Sequence, residues 1–342
     1  MKRTYSLVLE TNNLTGGGAN ADQIALTLER LLLHLNHQTR PLSSLEDLVI
    51  THQGFTDNHQ RRLSLAAGRT LCFVTIPHPE GYYAAKNRGF ESTQADVVAF
   101  GDGDCWPEPN WLELLLQPFE ADRPDRSDVV AGRTTYRGDL LGTAATTIDF
   151  LYFDSPLGKG CTLNFYANNV AFDRAVFEEH RYGRSEGIYR GNCQVLGLRL
   201  QAHGVRVRFV PEARTTHRFP DSSRELLQLR LLRGRDTVGL TPHIVDAYVP
   251  RKLRWVGQME SVALLILAVR FGFSLVAINR QDMPELHGLK RLACMAAITG
   301  ISLVDVGGVL HRIFSRNAQS SSADATALSY HGDTDGLSKQ AA

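Results

Sequence analysis

Two aspartates spaced one residue apart are the residues of this sequence with the clearest chemical potential. Asp102 and Asp104 flank Gly103, directly after the apolar run 97–100. Such a run is typical of a strand buried on both faces, and glycine leaves the following turn conformationally free. Carboxylates at the carboxyl end of a strand suit a hard divalent cation that takes further ligands from substrate phosphates. A solvated acidic turn is the alternative interpretation.

The composition limits the classes of protein to be considered. The chain has 342 residues, enough for one large domain with an appendage or for two domains. The net charge of +1 gives no electrostatic reason to expect nucleic acid as a partner. The five cysteines are odd in number and form no CxxC pair, which argues against a disulfide framework or a structural zinc site. They predict a reducing compartment, and we expect the cytoplasm.

The first hundred residues alternate between strand and helix patterns. This alternation predicts an α/β fold with a mostly parallel, doubly wound sheet flanked by helices. The first apolar run is too short for a signal peptide, so we expect it to be a strand of the domain. The predicted strands cover 5–9, 45–50, 71–76, 97–100, 129–133 and 205–210, the last as an edge strand, and 161–172 is predicted to be extended. The predicted helices cover 24–37, 87–93, 111–119, 173–179 and 194–202.

The C-terminal third contains two apolar stretches, 255–278 and 292–310, that carry the charges of Glu260, Arg270 and Asp305. A charge near the middle of a spanning helix costs roughly 2.5–3.5 kcal/mol, and each stretch has only about the minimum length for a span. We therefore expect two helices that lie on a membrane surface or dock on protein, with a transmembrane hairpin as the alternative. The basic and aromatic segment 251–255 suits an anionic headgroup layer.

Four segments, taken in order, give the chain a resemblance to the family 2 glycosyltransferases, which are inverting enzymes with the GT-A fold. They are residues 6–13, the Ala-Ala-Lys-Asn-Arg-Gly segment 84–89, the Asp102-Gly103-Asp104 turn with its following helix, and residues 168–177. The resemblance implies a GT-A domain over 1–237. The apolar stretches that follow it predict a helical region over 238–315 that lies on a membrane surface or docks on protein. Residues 316–342 are rich in Ser, Ala, Asp and Gly and are predicted to be a disordered tail.

The resemblance also implies a hexosyltransferase-type activity that moves a sugar from a nucleoside-diphosphate-sugar donor to a glycan or lipid-linked acceptor. It implies Mn²⁺ or Mg²⁺ held by Asp104, with Asp102 beside it and His217 as a further ligand; a plain loop histidine is the alternative for His217. The implied donor-binding residues are Thr11, Asn13, Lys86, Asn87, Asp102, Arg230 and Arg233. Arg230 and Arg233 belong to a predicted basic helix that also contains Arg235. The alternative interpretation of this helix is a solvated surface face.

Two departures from the family pattern affect the expected site. The loop after the second strand reads Thr-His-Gln-Gly at 51–54, where the family supplies an acid to the nucleotide base, and Asp57 is a candidate substitute. The catalytic Gly-Glu-Asp sequence is replaced by Gly191-Asn192-Cys193. Asparagine accepts no proton, and a thiol with a pKa near 8.5 is a poor base for a sugar hydroxyl.

Three explanations of the missing carboxylates remain open. Glu186 is the general base; or the chain binds a nucleotide sugar without efficient transfer; or Cys193 is a perturbed thiolate. A solvated loop acid is the alternative interpretation of Glu186. For the location, we expect a cytoplasmic protein, either free or bound to the cytoplasmic face of the membrane.

Overall fold

The computed structural model describes residues 3–12, 14, 19–78, 80–121, 126–183, 188–278 and 286–316. Within them, the strands form one 9-stranded sheet. The strands are β1 Tyr5–Glu10, β2 Asp47–His52, β3 Cys72–Thr75, β4 Val97–Asp102, β5 Cys105–Pro107, β6 Val129–Thr135, β7 Cys161–Thr162, β8 Val170–Asp173 and β9 Val207–His217.

The α-helices cover most of the predicted helical segments and extend several of them. They are α1 Ala21–Leu35, α2 Asp57–Ala67, α3 Tyr82–Glu91, α4 Trp111–Leu116, α5 Leu140–Asp149, α6 Arg174–His180, α7 Asn192–Ala202, α8 Ser223–Tyr248, α9 Val262–Ala277 and α10 Gly288–Arg316. A 3-10 helix, Arg251–Gln258, precedes α9.

The sheet has the order β3-β2-β1-β4-β8-β6-β9-β5, and β7 pairs with β9. The first four strands are parallel, so the α/β class is confirmed, but β4–β8 and β6–β8 pair antiparallel and the whole sheet is mixed. The prediction of an edge strand at 205–210 is wrong. Strand β9 lies between β6 on one side and β5 and β7 on the other. Arg206 and Arg208 are exposed, so their alternation marks a solvated face rather than an edge.

Helix α1 shows how the sequence builds the layer on one face of the sheet. Asn20 caps it in a capping box with Gln23, which satisfies backbone donors at its N-terminus. The apolar residues on its inner face, among them Leu28, Leu31 and Leu32, recur at helical spacing and are buried with the side chains of β1 and α4. Burial of each such leucine stabilises the fold by about 1.5–3 kcal/mol, so this layer fixes the position of β1 relative to the turn after β4.

The C-terminal helices share a core with the sheet domain. Helix α8 runs without a break through the predicted boundary at residue 237. Ile298 and Ile301 of α10 are buried with Tyr136 and Ile148. Gly234 of α8 and Gly308 of α10 let the two helices touch: a Cβ on Gly308 would lie 2.2 Å from the carbonyl oxygen of Leu231. The two regions are therefore joined by packing as well as by the chain.

The two apolar C-terminal stretches are helical, as predicted. Among the described residues one helix, Gly288–Ser315, is long and apolar enough to cross a membrane, and 33% of its most apolar window is buried in the protein. The pair Arg251–Gln258 and Val262–Ala277 passes the same test together but is bent by 101°. Buried helices of soluble proteins meet these criteria too. The predicted tail beyond Arg316 lies outside the described residues.

Candidate active site

The acidic turn lies at the carboxyl end of β4. Asp102 is the last residue of this strand and pairs in register with Glu10 of β1. The Gly103 N–H donates to the Glu10 carbonyl oxygen at 2.8 Å, which closes the turn. The next strand, β5, begins immediately after Asp104 at Cys105. Both aspartates are therefore fixed by the backbone pairing on either side of the turn.

Sheet pairing brings His217 to this turn. Strand β5 runs antiparallel to β9, and Cys105 is the register partner of His217. As a result His217 Nε2 lies 3.9 Å from Asp104 Oδ2. One potential ligand atom from each of Asp102, Asp104, Cys105 and His217 lies within 4.8 Å of the others. The three residues predicted as metal ligands are thus brought together, although His217 is far from the two aspartates in sequence.

The chemistry of these side chains fits a divalent cation. His217 Nδ1 lies 2.8 Å from the carbonyl oxygen of Arg218, and because a carbonyl only accepts, Nδ1 carries the proton. In the neutral ring the lone pair is then on Nε2, on the side of Asp104, as in a metal-binding histidine. Burial, and then the charge of Asp104, raises the pKa of Cys105 well above its usual range, so it stays a neutral thiol. Two carboxylates and one imidazole remain, a set suited to Mn²⁺ or Mg²⁺.

Lys86 holds Asp102 in place. Its ammonium donates to Asp102 Oδ1 at 2.6 Å and to the Gly101 carbonyl oxygen at 3.0 Å, and the lysine is completely buried. Tyr82 Oη donates to Asp102 Oδ2 at 2.8 Å. We had expected Lys86 to bind the donor directly. Its buried ion pair instead gives it the role of positioning and neutralising Asp102.

Glu10 is a site residue that the sequence interpretation missed. It is completely buried, and its carboxylate accepts the backbone N–H of Asn12. Burial, and then the charge of Asp102, raises the pKa of Glu10 to about 8. At neutral pH the side chain is therefore mostly protonated. An acid at the end of an otherwise apolar strand, directly before a polar loop, is the signal that could have identified it.

Thr11, Asn87 and Asp57 are predicted donor contacts that lie among the described residues. Thr11 Oγ1 donates to the Thr51 carbonyl oxygen at 2.8 Å and so links the two strand ends. Asn87 Nδ2 donates to the Tyr182 carbonyl oxygen at 2.9 Å, so this amide supports the protein rather than facing solvent. Asp57 is exposed in the first turn of α2. Asn13 lies outside the described residues.

His52 stands where the family supplies an acid to the nucleotide base. Its ring stacks on Phe55 with centroids 4.7 Å apart, and Nδ1 accepts the Phe55 N–H at 3.1 Å. Burial, and then the nearby His59, lowers the pKa of His52 to about 4, so the ring is neutral. Its proton must then be on Nε2, which is buried and has no hydrogen-bond partner among the described residues. At this position the protein has a neutral hydrogen-bond donor, the Nε2–H group of His52, in place of a carboxylate.

The segment before α7 is held against the acidic turn. Asp236 accepts the backbone N–H groups of Tyr189 and Arg190, each at 2.7 Å. Tyr83 Oη donates to the Arg190 carbonyl oxygen at 2.6 Å. The Arg190 guanidinium lies 4.8 Å from the ring centroid of Tyr82, which in turn bonds Asp102. Arg190 is therefore a cation of the site that the sequence interpretation did not select.

Asn192 and Cys193 open helix α7 in the place of the family's catalytic carboxylates. Asn192 is buried, and its Oδ1 has no hydrogen-bond partner within the described ranges. Burial raises the pKa of the Cys193 thiol. This direction is opposite to the one that a thiolate base requires, so we do not retain Cys193 as the base. Glu186 lies outside the described residues.

The two arginines predicted to bind the diphosphate have different surroundings. Arg230 is buried, with Nη1 2.7 Å from Asp149 Oδ1 and with a second ion pair to Asp305. We therefore correct its assignment from donor contact to structural cation. Arg233 is half-buried, and its Nε has no hydrogen-bond partner in the described part of the chain. Burial lowers the pKa of Arg233, but Asp149 and Tyr136 outweigh that effect, so it stays charged.

Comparison with known proteins identifies the domain that carries this turn. Residues 21–180 match the model of the protein family described as Glycosyl transferase family 2. This part of the chain is a family 2 glycosyltransferase domain. The matched residues include Lys86 and the acidic turn, whereas Asn192, Cys193 and His217 follow the matched region.

The glycosyltransferase domain has curated relatives that it matches over part of their length. It is 32% identical over 127 residues to glycosyltransferase AglE of Haloferax volcanii, covering 36% of this chain and 40% of that protein. It is 26% identical over 180 residues to the pre-mycofactocin glycosyltransferase of Mycobacterium tuberculosis, covering 51% of this chain and 38% of that protein. The similarity thus spans less than half the length of either relative.

A solved structure shares the fold of the glycosyltransferase domain together with the C-terminal helices. It is mannosyltransferase PcManGT from Pyrobaculum calidifontis in complex with GDP-Man and Mn²⁺, with a TM-score of 0.56 and 14% sequence identity. The alignment covers 92% of this chain and 88% of that one. The predicted GT-A fold is thereby confirmed.

Proposed function

We propose that this chain transfers a sugar from a nucleoside-diphosphate-sugar donor to an acceptor hydroxyl, with inversion and with Mn²⁺ or Mg²⁺ bound. The observation that carries the proposal is the meeting of Asp102, Asp104 and His217 at the end of one buried strand. The Nε2 lone pair left on the side of Asp104 supports a ligand role for His217. The acceptor in this proposal is a glycan or a lipid-linked molecule.

Each side chain has a defined task in this proposal. Asp104 and His217 are the metal ligands, and Asp102 stands beside them with its orientation fixed by Lys86 and Tyr82. A bound divalent cation acts as a Lewis acid and stabilises the charge that develops on the leaving diphosphate. Arg190 and Arg233 are the cations assigned to the diphosphate oxygens, because charge-assisted hydrogen bonds to phosphate are strong.

Glu186 is the residue that we assign as general base. Inversion by direct displacement requires a group that takes the proton of the acceptor hydroxyl, and neither Asn192 nor neutral Cys193 does so at neutral pH. Glu186 lies five residues before Gly191 in the sequence. The unpartnered Oδ1 of Asn192 is assigned to accept a hydrogen bond that orients the acceptor.

The raised pKa of Cys193 also favours a second candidate function. In this alternative the chain binds a nucleotide sugar without transferring it efficiently. The two candidates differ in their response to Glu186→Gln, which abolishes transfer in the first and changes nothing in the second.

The test is the release of nucleoside diphosphate from a panel of UDP- and GDP-sugars, with Mn²⁺ or with a chelator. For the transferase we expect metal-dependent release, and Asp104→Asn should reduce it roughly 100-fold or more. Glu113→Gln is the matched control, because Glu113 is an exposed acid on α4. Donor binding without release, unchanged by Glu186→Gln, would establish the binding protein instead.

A further inference from the structure

Helices α9 and α10 expose large apolar side chains along one face each. The spacing of these residues follows the helical period, so each set forms one stripe. We call them together the α9–α10 surface: Leu265, Val269, Phe273 and Val276 on α9, and Leu292, Leu303, Leu310 and Phe314 on α10. Leu265 and Leu303 are 65% and 66% exposed. Exposed apolar surface on this scale is a mark of an interaction site.

Arg270 of α9 and Asp305 of α10 point away from this surface. Within residues 262–278 and 292–310, the only acidic or basic residues are Arg270 and Asp305. Arg270 Nη2 donates to the Ile148 carbonyl oxygen at 2.8 Å and lies 3.2 Å from Asp149 Oδ1. Asp305 is buried in its ion pair with Arg230. The charges of Arg270 and Asp305 are therefore satisfied on the protein side.

Basic and aromatic residues precede α9 in the chain. Arg251, Lys252 and Arg254 are exposed in the 3-10 helix before α9, and Trp255 beside them is 63% exposed. Lysine and arginine with tryptophan are the residues that anchor a protein at the headgroup level of a membrane, where anionic lipids attract them. This arrangement matches a lipid bilayer, in which an uncharged acyl layer is bordered by negatively charged headgroups.

A groove of about 360 Å³ lies between α9 and α10. Leu264, Leu267, Phe271 and Val306 line its walls, and Arg270 and Asp305 are among its lining residues. The groove therefore extends the apolar surface inwards as far as the buried ion pairs. Its mainly apolar lining suits a hydrocarbon chain.

We propose that the α9–α10 surface docks on a lipid bilayer. The two helices lie in the plane of one leaflet, with the exposed stripes in the acyl layer and the segment 251–255 on anionic headgroups. A spanning arrangement is disfavoured because the opposite faces of the helices are bound to α5 and α8 through Asp149 and Arg230. Spanning would move these polar elements into hydrocarbon. The proposal stands independently of the transferase activity.

The test is flotation of the full chain, purified without detergent, with vesicles of phosphatidylcholine alone or mixed with phosphatidylglycerol. We expect binding that is stronger on the mixed vesicles and falls with salt. The double variant Leu265→Asp/Phe273→Asp should weaken it roughly 10-fold or more. Leu65→Asp is the matched control, because Leu65 is 80% exposed on the distant helix α2.

A second variant checks the basic border separately. Arg251→Gln/Lys252→Gln/Arg254→Gln should abolish the preference for mixed vesicles and keep the circular dichroism spectrum of the wild type. Failure of the wild type to float with either vesicle, or undiminished binding by the Leu265→Asp/Phe273→Asp variant, would overturn the proposal. A chain that is extracted only by detergent would show spanning helices and overturn the in-plane arrangement.

Discussion

Lys86 Nζ lies 2.6 Å from Asp102 Oδ1, and the two side chains are 0% and 1% exposed. The pair links helix α3 to the last residue of β4 and thus to the turn that carries Asp104. A buried ion pair adds little net stability, because desolvation offsets much of the attraction. Its value here is to hold one carboxylate in a fixed orientation beside the other.

Replacement of the lysine should therefore be costly. Lys86→Met leaves the Asp102 charge buried without its partner, and we expect a loss of about 3–5 kcal/mol in the free energy of unfolding. Chemical denaturation measures it, with Lys290→Met on the exposed start of α10 as control. The double variant Lys86→Met/Asp102→Leu should recover most of the stability but not the activity. A single variant as stable as the wild type would refute the pairing.

His217 should contribute to metal affinity directly. We expect His217→Gln to weaken Mn²⁺ binding at least 10- to 100-fold, the range found even for groups that only orient a ligand. Isothermal titration calorimetry with Mn²⁺ alone gives the dissociation constant. His203→Gln is the matched control, because His203 also places Nδ1 2.8 Å from a backbone carbonyl oxygen but lies outside the acidic cluster. Equal Mn²⁺ affinity in both variants contradicts the ligand assignment.

Glu10 should make the metal-free protein less stable as the pH rises. Its pKa is about 8 in the folded state against an ordinary 4.5, so between these values the folded state keeps a proton that the unfolded state has lost. Stability therefore falls as pH rises from about 4.5 and levels off above about 8. Glu10→Gln should remove this contribution, matching the wild type near pH 4 and exceeding it at pH 8. Thermal unfolding across that range, with chelator present, checks it; an unchanged pH profile would exclude the buried neutral acid.

The two arginines of α8 should give opposite phenotypes. Arg230→Met leaves Asp305 buried without its partner, so we expect a loss of about 3–5 kcal/mol of stability and little change in donor affinity. Arg233→Met should weaken nucleoside-diphosphate binding while leaving stability nearly intact. Denaturation curves and calorimetric titration with UDP or GDP separate the two effects. The reverse pattern would restore Arg230 as the donor contact.

Local features of the site were readable from the sequence, and long-range pairs were not. The apolar run before Asp102 predicts a strand and Gly103 predicts a turn, since both depend on neighbouring residues. The approach of His217 depends on its register with Cys105, set by a strand of only 3 residues, Cys105–Pro107. So short an element has no periodicity to read.

The same limit explains the error for Arg230. Its spacing with Arg233 and Arg235 indicates a basic helix, and such a pattern is typical of a surface. Its partners, Asp149 and Asp305, are 81 and 75 residues away in the chain. Only the packing of α5 and α10 against α8 turns this arginine inwards. A buried charge of this kind looks like a surface charge until its partners are known.

The close crossing of α8 and α10 at Gly234 and Gly308 limits how this protein can be engineered. Chimeras that graft foreign helices onto the sheet domain would need a small residue at the position of Gly308 and an acid at that of Asp305. Without them, the graft would meet the α8 backbone and remove one of the two ion pairs of Arg230. Sheet and C-terminal helices should therefore be exchanged as one cassette.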